Sequence, residues 1–142
     1  AYKFTSLGLV GDDTLDTIFS CEYTKDSDVG TYVITPTDCT FTSGVKNNYN
    51  IEYVNGTLSV YGSSYNKASK TVKIYSNHDT DVDCYVVSYA ENGTLDGIKK
   101  EHCSLKADEI STIDISSLNI AENDSIKIFL WDNNLTPVEI TN

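Results

Sequence analysis

Three aspartates at period two, Asp79, Asp81 and Asp83, are the densest run of chemistry-capable side chains here, because alternating carboxylates open an EF-hand calcium loop. The run fails where that loop is most demanding. The position that needs glycine is Cys84, and the twelfth position is Ala90 instead of a bidentate Glu. On a strand, period two simply puts the three acids on one side. Asp12-Asp13 is given no catalytic role. A glycosidase pair would have to flank a cleft at about 5 to 10 Å, and nothing in the pattern writes such a cleft. His102 precedes Cys103, but neighbours on a strand face opposite ways, which opposes a base and nucleophile pair. His78, between Asn77 and Asp79, is a polar loop residue. There is no G-x-S-x-G, H-E-x-x-H or Cys-x-x-Cys motif and no phosphate-binding glycine loop. The expectation is a chain without catalytic, metal or cofactor-binding residues, and not an enzyme.

Two other sets of residues carry weight. The four cysteines fall two and two, Cys21 and Cys39 in the first half, Cys84 and Cys103 in the second. In small domains that bury only about 60% of their unfolded surface, a bridge within each half is worth about 2 to 4 kcal/mol. The alternative is four buried thiols packing as small apolar residues. The aromatic residues, 11% of the chain, are the other set. Tyr85 and Tyr89 share a strand face, and the single tryptophan, Trp131, sits two residues after Phe129. If exposed, Tyr85, Tyr89 and Trp131 form a candidate ligand face. Tyrosines that merely cover a sheet, and a tryptophan that plugs a core, are the structural alternative.

The elements that must position these residues are strands. Thr, Ser, Tyr, Val, Ile and Asn dominate, methionine is absent, and proline occurs only at Pro36 and Pro137. Alternation recurs at Phe19, Cys21 and Tyr23, at Val72 and Ile74, at Cys84 and Val86, and at Ile126, Ile128 and Leu130. Helix candidates are confined to residues 12–17 and 116–123. The second half offers six strands: KTVKIYS, DCYVVSYA, GIKKEHCSL, ISTIDIS, SIKIFLW and TPVEI. Residues 48–60, NYNIEYVNGTLSV, read as a hairpin about a type I′ Asn55-Gly56 turn, with Tyr53 opposite Leu58 and Ile51 opposite Val60. Asn92-Gly93 reads as a second such turn. The polar stretch YGSSYNKAS interrupts the alternation. It divides the chain into a domain over 1–61, a linker over 62–69 and a domain over 70–142.

The VGTY of 29–32 followed by NYNIEYVNGTLSV, with LGLVGDDTL at 7–15, resembles the MBG repeat of bacterial surface proteins. The family's opening strand is short or absent, which reads residue 1 as a boundary cut within the domain. The second half resembles a module from the C-terminal ends of clostridial-type secreted proteins. That likeness rests on Asn92-Gly93-Thr94-Leu95 after VVSYA, and on IKIFLWD followed by LTPV. Together the resemblances imply an all-β, or nearly all-β, chain of two small tandem domains. The first is MBG-like, β-grasp-like or Ig-like; the second is a fibronectin-like or Ig-like sandwich.

They further imply a non-catalytic extracellular spacer, stalk or adhesion module, secreted or at the surface of a Gram-positive-type bacterium. Other domains of the same surface protein are its expected partners, and the chain is expected to be a monomer. A carbohydrate- or host-protein-binding module, accessory to an extracellular hydrolase, is the alternative. A formal net charge of −11 with scattered lysines excludes nucleic acid and disfavours anionic membranes. No apolar run of about 18 residues could insert in a bilayer. The Asn-x-Ser/Thr triplets at Asn55, Asn92, Asn123 and Asn134 are turn chemistry.

Overall fold

The computed structural model describes residues 3–141, which divide into two compact units, one of 3–25 with 31–58 and one of 26–30 with 59–141. The backbone therefore passes from one unit to the other three times. The chain is nearly all β, built from three small antiparallel sheets. A single 3-10 turn at Lys46–Asn48 interrupts the strands, and neither helix candidate forms.

The first unit holds one sheet of order β1-β2-β3, with β1 at Thr14–Cys21, β2 at Gly30–Ser43 and β3 at Gly56–Val60. β1 alternates exposed and half-buried residues along its whole length, as period two demands. It runs antiparallel to β2, with Thr17 opposite Cys39 and Cys21 opposite Ile34. The register slips between Ile18 and Phe19, where β2 carries Pro36, a residue with no N–H to give the ladder.

The expected hairpin at 48–60 does not form. Neither Asn55 nor Gly56 has the positive φ of a type I′ turn, and 51–55 carry no strand. β3 pairs instead with β2. A Cβ on Gly56 would lie 3.6 Å from the Ile34 side chain, an ordinary contact, so neither a turn nor a close approach demands glycine here. The glycine with a steric duty in this unit is Gly44, at φ +93, where a Cβ would collide with the Asp13 carboxylate. Asp13 also accepts the hydroxyl of Tyr49. The chain does turn at residues 11–12, with the Asp13 N–H donating to the Val10 carbonyl at 3.3 Å, but the Asp13 carboxylate accepts from the Tyr49 side chain rather than the backbone.

The second unit is a sandwich of two three-stranded sheets. One has the order β4-β5-β8 (Gly62–Asn66, Thr71–Tyr75, Ile110–Asp114), the other β7-β6-β9 (Leu95–Leu105, Thr80–Tyr89, Ser125–Trp131). Their inner faces meet in one core: Val72, Ile74, Ile113 and Ile115 from the first, Val82, Cys84, Val86 and Cys103 from the second. Residues 62–69 are therefore not a linker. β4 occupies 62–66, and Tyr65, opposite Val72, packs against the core. Serine and glycine dilute its alternation, so tertiary pairing rather than local propensity makes it a strand. TPVEI is likewise not a strand. Pro137 makes one isolated bridge to Trp131, Val138 N–H donates to Leu130 at 2.9 Å, and Ile140 fills the core.

The chain turns at 90–94 as expected, but not as a two-residue type I′ turn: Asn92 lacks the positive φ that turn needs, and the Ala90 N–H donates to the Thr94 carbonyl at 2.9 Å. Gly93 adopts φ +82, and Asn92 Oδ1 accepts the Thr94 N–H at 3.0 Å. Residues 26–30 belong to this unit through Asp28, which accepts from Lys73 at 2.8 Å, Ser64 at 3.2 Å and Asn66 at 3.3 Å.

Candidate functional site

The two sheets of the sandwich differ on their outer faces. On β4-β5-β8 the outward residues include Ser64, Asn66, Thr71, Lys73 and Thr112, and the 26–30 segment bonds to three of them. The same face carries Tyr75, stacked with Tyr61 at 4.7 Å between ring centroids, and an exposed Ile110, so it is mostly polar with an aromatic pair at one end. On β7-β6-β9 the outward residues are aromatic and aliphatic side chains interspersed with charged ones, and no other strand of this unit covers them. Strand alternation places them: Val82, Cys84, Val86 and Ser88 of β6 point into the core, so Asp83, Tyr85, Val87 and Tyr89 point out. β9 sets Trp131 opposite Asp83, Phe129 opposite Tyr85 and Lys127 opposite Val87. β7 sets His102, Lys100 and Ile98 opposite the same three β6 residues.

Tyr85 and Trp131 are thereby 5.1 Å apart between ring centroids at 49°, and Phe129 and Trp131 are 5.5 Å apart at 43°. Tyr89 stands four residues along the strand from Tyr85, with Lys127 Nζ 5.3 Å from its ring centroid. Lys100 Nζ lies 5.4 Å from the Tyr85 centroid. The rings are half-buried and mutually tilted, an aromatic ridge rather than a coplanar platform. Beside Trp131 the ridge borders a shallow depression of about 500 Å³, lined by Tyr61, Phe129, Pro137 and Val138 among others.

One end of the ridge is charged. Asp83 receives Lys100 Nζ at 2.7 Å and His102 Nδ1 at 3.0 Å. The Lys100 ammonium first, then His102, holds the Asp83 carboxyl below its ordinary range, and Asp83 in turn raises Lys100. The other two aspartates of the period-two run are also engaged across β7. Asp79 binds Lys106 at 2.7 Å and the Ala107 N–H at 2.9 Å, while Asp81 accepts Ser104 at 2.6 Å. Each acid thus faces its own partner, and no cluster of three metal-ligating side chains occurs among the described residues.

His102 and Cys103 do face opposite ways, with Cys103 buried in the core and His102 exposed. His78 Nδ1 lies 2.7 Å from the Asn77 amide oxygen. In this structure all four cysteines are free thiols, the second of the two arrangements expected of them. Cys39 sits opposite Thr17 and Cys21 opposite Ile34, four residues apart along β1. That separation is about 14 Å along an antiparallel strand, twice the span a disulfide bridges. Cys103 lies opposite Val82 and Cys84 opposite Glu101, so the second pair are diagonal core neighbours. Burial, reinforced by the Cys103 and Glu101 charges, pushes the Cys84 thiol up to about 12.

The first unit contributes a second concavity, a half-open cavity of about 590 Å³. Phe4, Phe19, Phe41 and Tyr49 are among its lining residues, with Phe41 and Tyr49 stacked at 5.0 Å. One wall is the β1-β2 sheet and the other is the irregular chain at 3–9 and 50–55, so only one of its two layers is a regular face.

Of the sequence-predicted ligand residues, the structure brings Tyr85 and Trp131 together and leaves Tyr89 at the far end of the same face. The partners Lys100, His102 and Lys127 come from cross-strand register, which no local pattern encodes. Residues 1–59 match the family model of the MBG domain (YGX type). No curated protein and no solved structure matches the chain. No helix among the described residues is long and apolar enough to cross a membrane.

Proposed function

We propose that this chain is a non-catalytic module of a bacterial cell-surface or secreted protein, acting as a spacer or adhesion-related domain. The carrying observation is the match of residues 1–59 to the MBG domain. The second unit, on this reading, is the sandwich that ends clostridial-type secreted proteins, and the parent is Gram-positive in type. Such a module works by resisting unfolding and by keeping its strand edges unattractive to other chains. The ion pairs support that role. Asp79, Asp83 and Asp28 are engaged in holding strands and the 26–30 segment together, and each is held below its ordinary range by the lysine it binds.

A second reading, a module that binds a glycan or a host protein, is favoured by the aromatic outer face of β7-β6-β9. The test of the primary reading is location. Protease shaving of intact cells of the encoding organism, followed by mass spectrometry, is expected to release peptides of this chain. Recovery of the chain solely from the cytosolic fraction would overturn it.

A further inference from the structure

We infer that the outer face of β7-β6-β9 is a binding surface for an uncharged polysaccharide, with Trp131, Phe129 and Tyr85 as its stacking ridge. This rests on the second reading above and gives it a site and a ligand class. Cross-strand packing of Tyr85 with Phe129 supports the sheet, but three contiguous, partly exposed aromatic rings together with an exposed Ile98 exceed what a water-facing sheet needs. On the outer face of the other sheet Ser64, Asn66, Thr71, Lys73 and Thr112 stand with Tyr75 and Ile110, but Tyr75 is stacked with Tyr61 and buried, whereas Tyr85, Phe129 and Trp131 stay partly exposed. The difference marks a surface kept for contact.

Charge selects the occupant. The face itself balances, Lys100 and Lys127 against Asp81 and Asp83, within a chain of formal net charge −11. A second copy of the chain or an anionic polymer would approach against that field. A predominantly apolar protein surface would have to bury the Asp83, Lys100 and His102 cluster at the edge of the rings, which costs several kcal/mol per ion. A polysaccharide avoids both penalties. Its rings present C–H faces to aromatic carbon, and its hydroxyls can meet the exposed side chains of Lys100 and His102. The shape fits as well. The ridge borders the shallow depression beside β9, so an extended polymer can lie across it without a closed pocket.

Trp131 is the only tryptophan of the chain, so its fluorescence reports on this face alone. The full chain would be titrated with soluble mixed-linkage β-glucan, xyloglucan, galactomannan and dextran, and with polygalacturonate, collagen and fibrinogen as charged and protein arms. The expected result is a saturable change in Trp131 emission with at least one uncharged polysaccharide, little altered between low salt and 0.5 M salt. Tyr85→Ser and Phe129→Ser, each with an unchanged far-ultraviolet spectrum, should weaken it at least tenfold. Where a β9 variant fails to fold, Lys100→Glu, which puts a like charge beside Asp83 without touching the core, should weaken it as well.

Several outcomes would overturn the assignment: no response to any uncharged polysaccharide, a response to polygalacturonate alone, capture by collagen or fibrinogen alone, or binding that survives these substitutions. Concentration-dependent dimerisation with burial of Trp131 would do so too. Each leaves the surface location of the chain, and so the primary reading, untouched.

Discussion

The two units show what alternation can and cannot supply. In the second unit two sheets close on each other, and Val72, Ile74, Cys84 and Ile115 are shielded completely from solvent. In the first unit Cys39 alone is buried among the described residues, while Leu7, Val10, Ile18 and Val54 are largely exposed. Both have strands with period-two patterning. The difference is the second layer: a lone three-stranded sheet covered by irregular chain around a cavity of about 590 Å³ cannot exclude water from one of its faces. Alternation makes strands, and only a second regular face makes a core.

Truncation should expose this contrast most sharply. Ile115→Ala removes a fully shielded side chain and is expected to destabilise the second unit by about 2 to 5 kcal/mol. Leu15→Ala, at a half-buried position that lines the cavity, is expected to cost under about 1 kcal/mol, since little dispersion contact is there to lose. Urea unfolding followed by hydrogen exchange in each unit would separate the two. Equal losses would mean that the first unit holds a core this contrast denies it.

Backbone constraint should matter more than packing in the first unit. Gly44→Ala places a side chain at φ +93 and forces the Asp13 carboxylate aside, which also strains the Asp13 contact with Tyr49. A loss of about 1 to 3 kcal/mol confined to that unit is expected, larger than Leu15→Ala despite the smaller change in volume. Exchange rates of the β1 and β2 amides are the measurement, and an unchanged pattern would contradict it.

Sequence legibility followed the same division. β5 to β9 could be read from Val72 and Ile74, Cys84 and Val86, Ile113 and Ile115, and Ile126, Ile128 and Leu130, because each set buries one face against a regular partner. β4 could not, since Gly62, Ser63 and Ser64 carry little pattern and only pairing with β5 orders them. The hairpin at 48–60 failed for the opposite reason: its local signal is strong, but β2, at 14 residues, offers β3 a longer partner than 49–55 could. The ligand face was half legible. Tyr85 and Tyr89 share a face by period alone, whereas their meeting with Phe129, Trp131 and the lysines depends on the β6 to β9 and β6 to β7 registers.

The 26–30 segment offers a smaller, pH-dependent probe of the second unit. Hydrogen bonding from Lys73 is the largest cause holding the Asp28 carboxyl below its ordinary value of 3.8. A carboxyl depressed in the folded state stabilises above its unfolded value and loses that contribution as pH falls through the folded one. Stability should therefore decline below about pH 4. Asp28→Asn should remove about 1 kcal/mol at neutral pH and flatten this part of the acid limb. An acid limb identical in both proteins would detach the segment from the sheet's stability.

The smallest expected effect is none, and it bears on both units at once. Four free thiols mean that adding dithiothreitol should move the melting temperature by less than about 1 °C, where loss of a bridge worth about 2 to 4 kcal/mol would move it by roughly 10 °C or more. Alkylation by iodoacetamide gives the finer reading. Cys21, half-buried, should react first. Cys84, fully shielded and with its thiol pushed up to about 12, should react only when the sandwich opens. Its labelling rate should then track the unfolding of the second unit, and Ile115→Ala should accelerate it together with the exchange of β6 amides. Oxidation that joined Cys21 to Cys39 without loss of structure would require β1 to slide along β2 by four residues. It would therefore overturn the register on which the first unit's weak core is built.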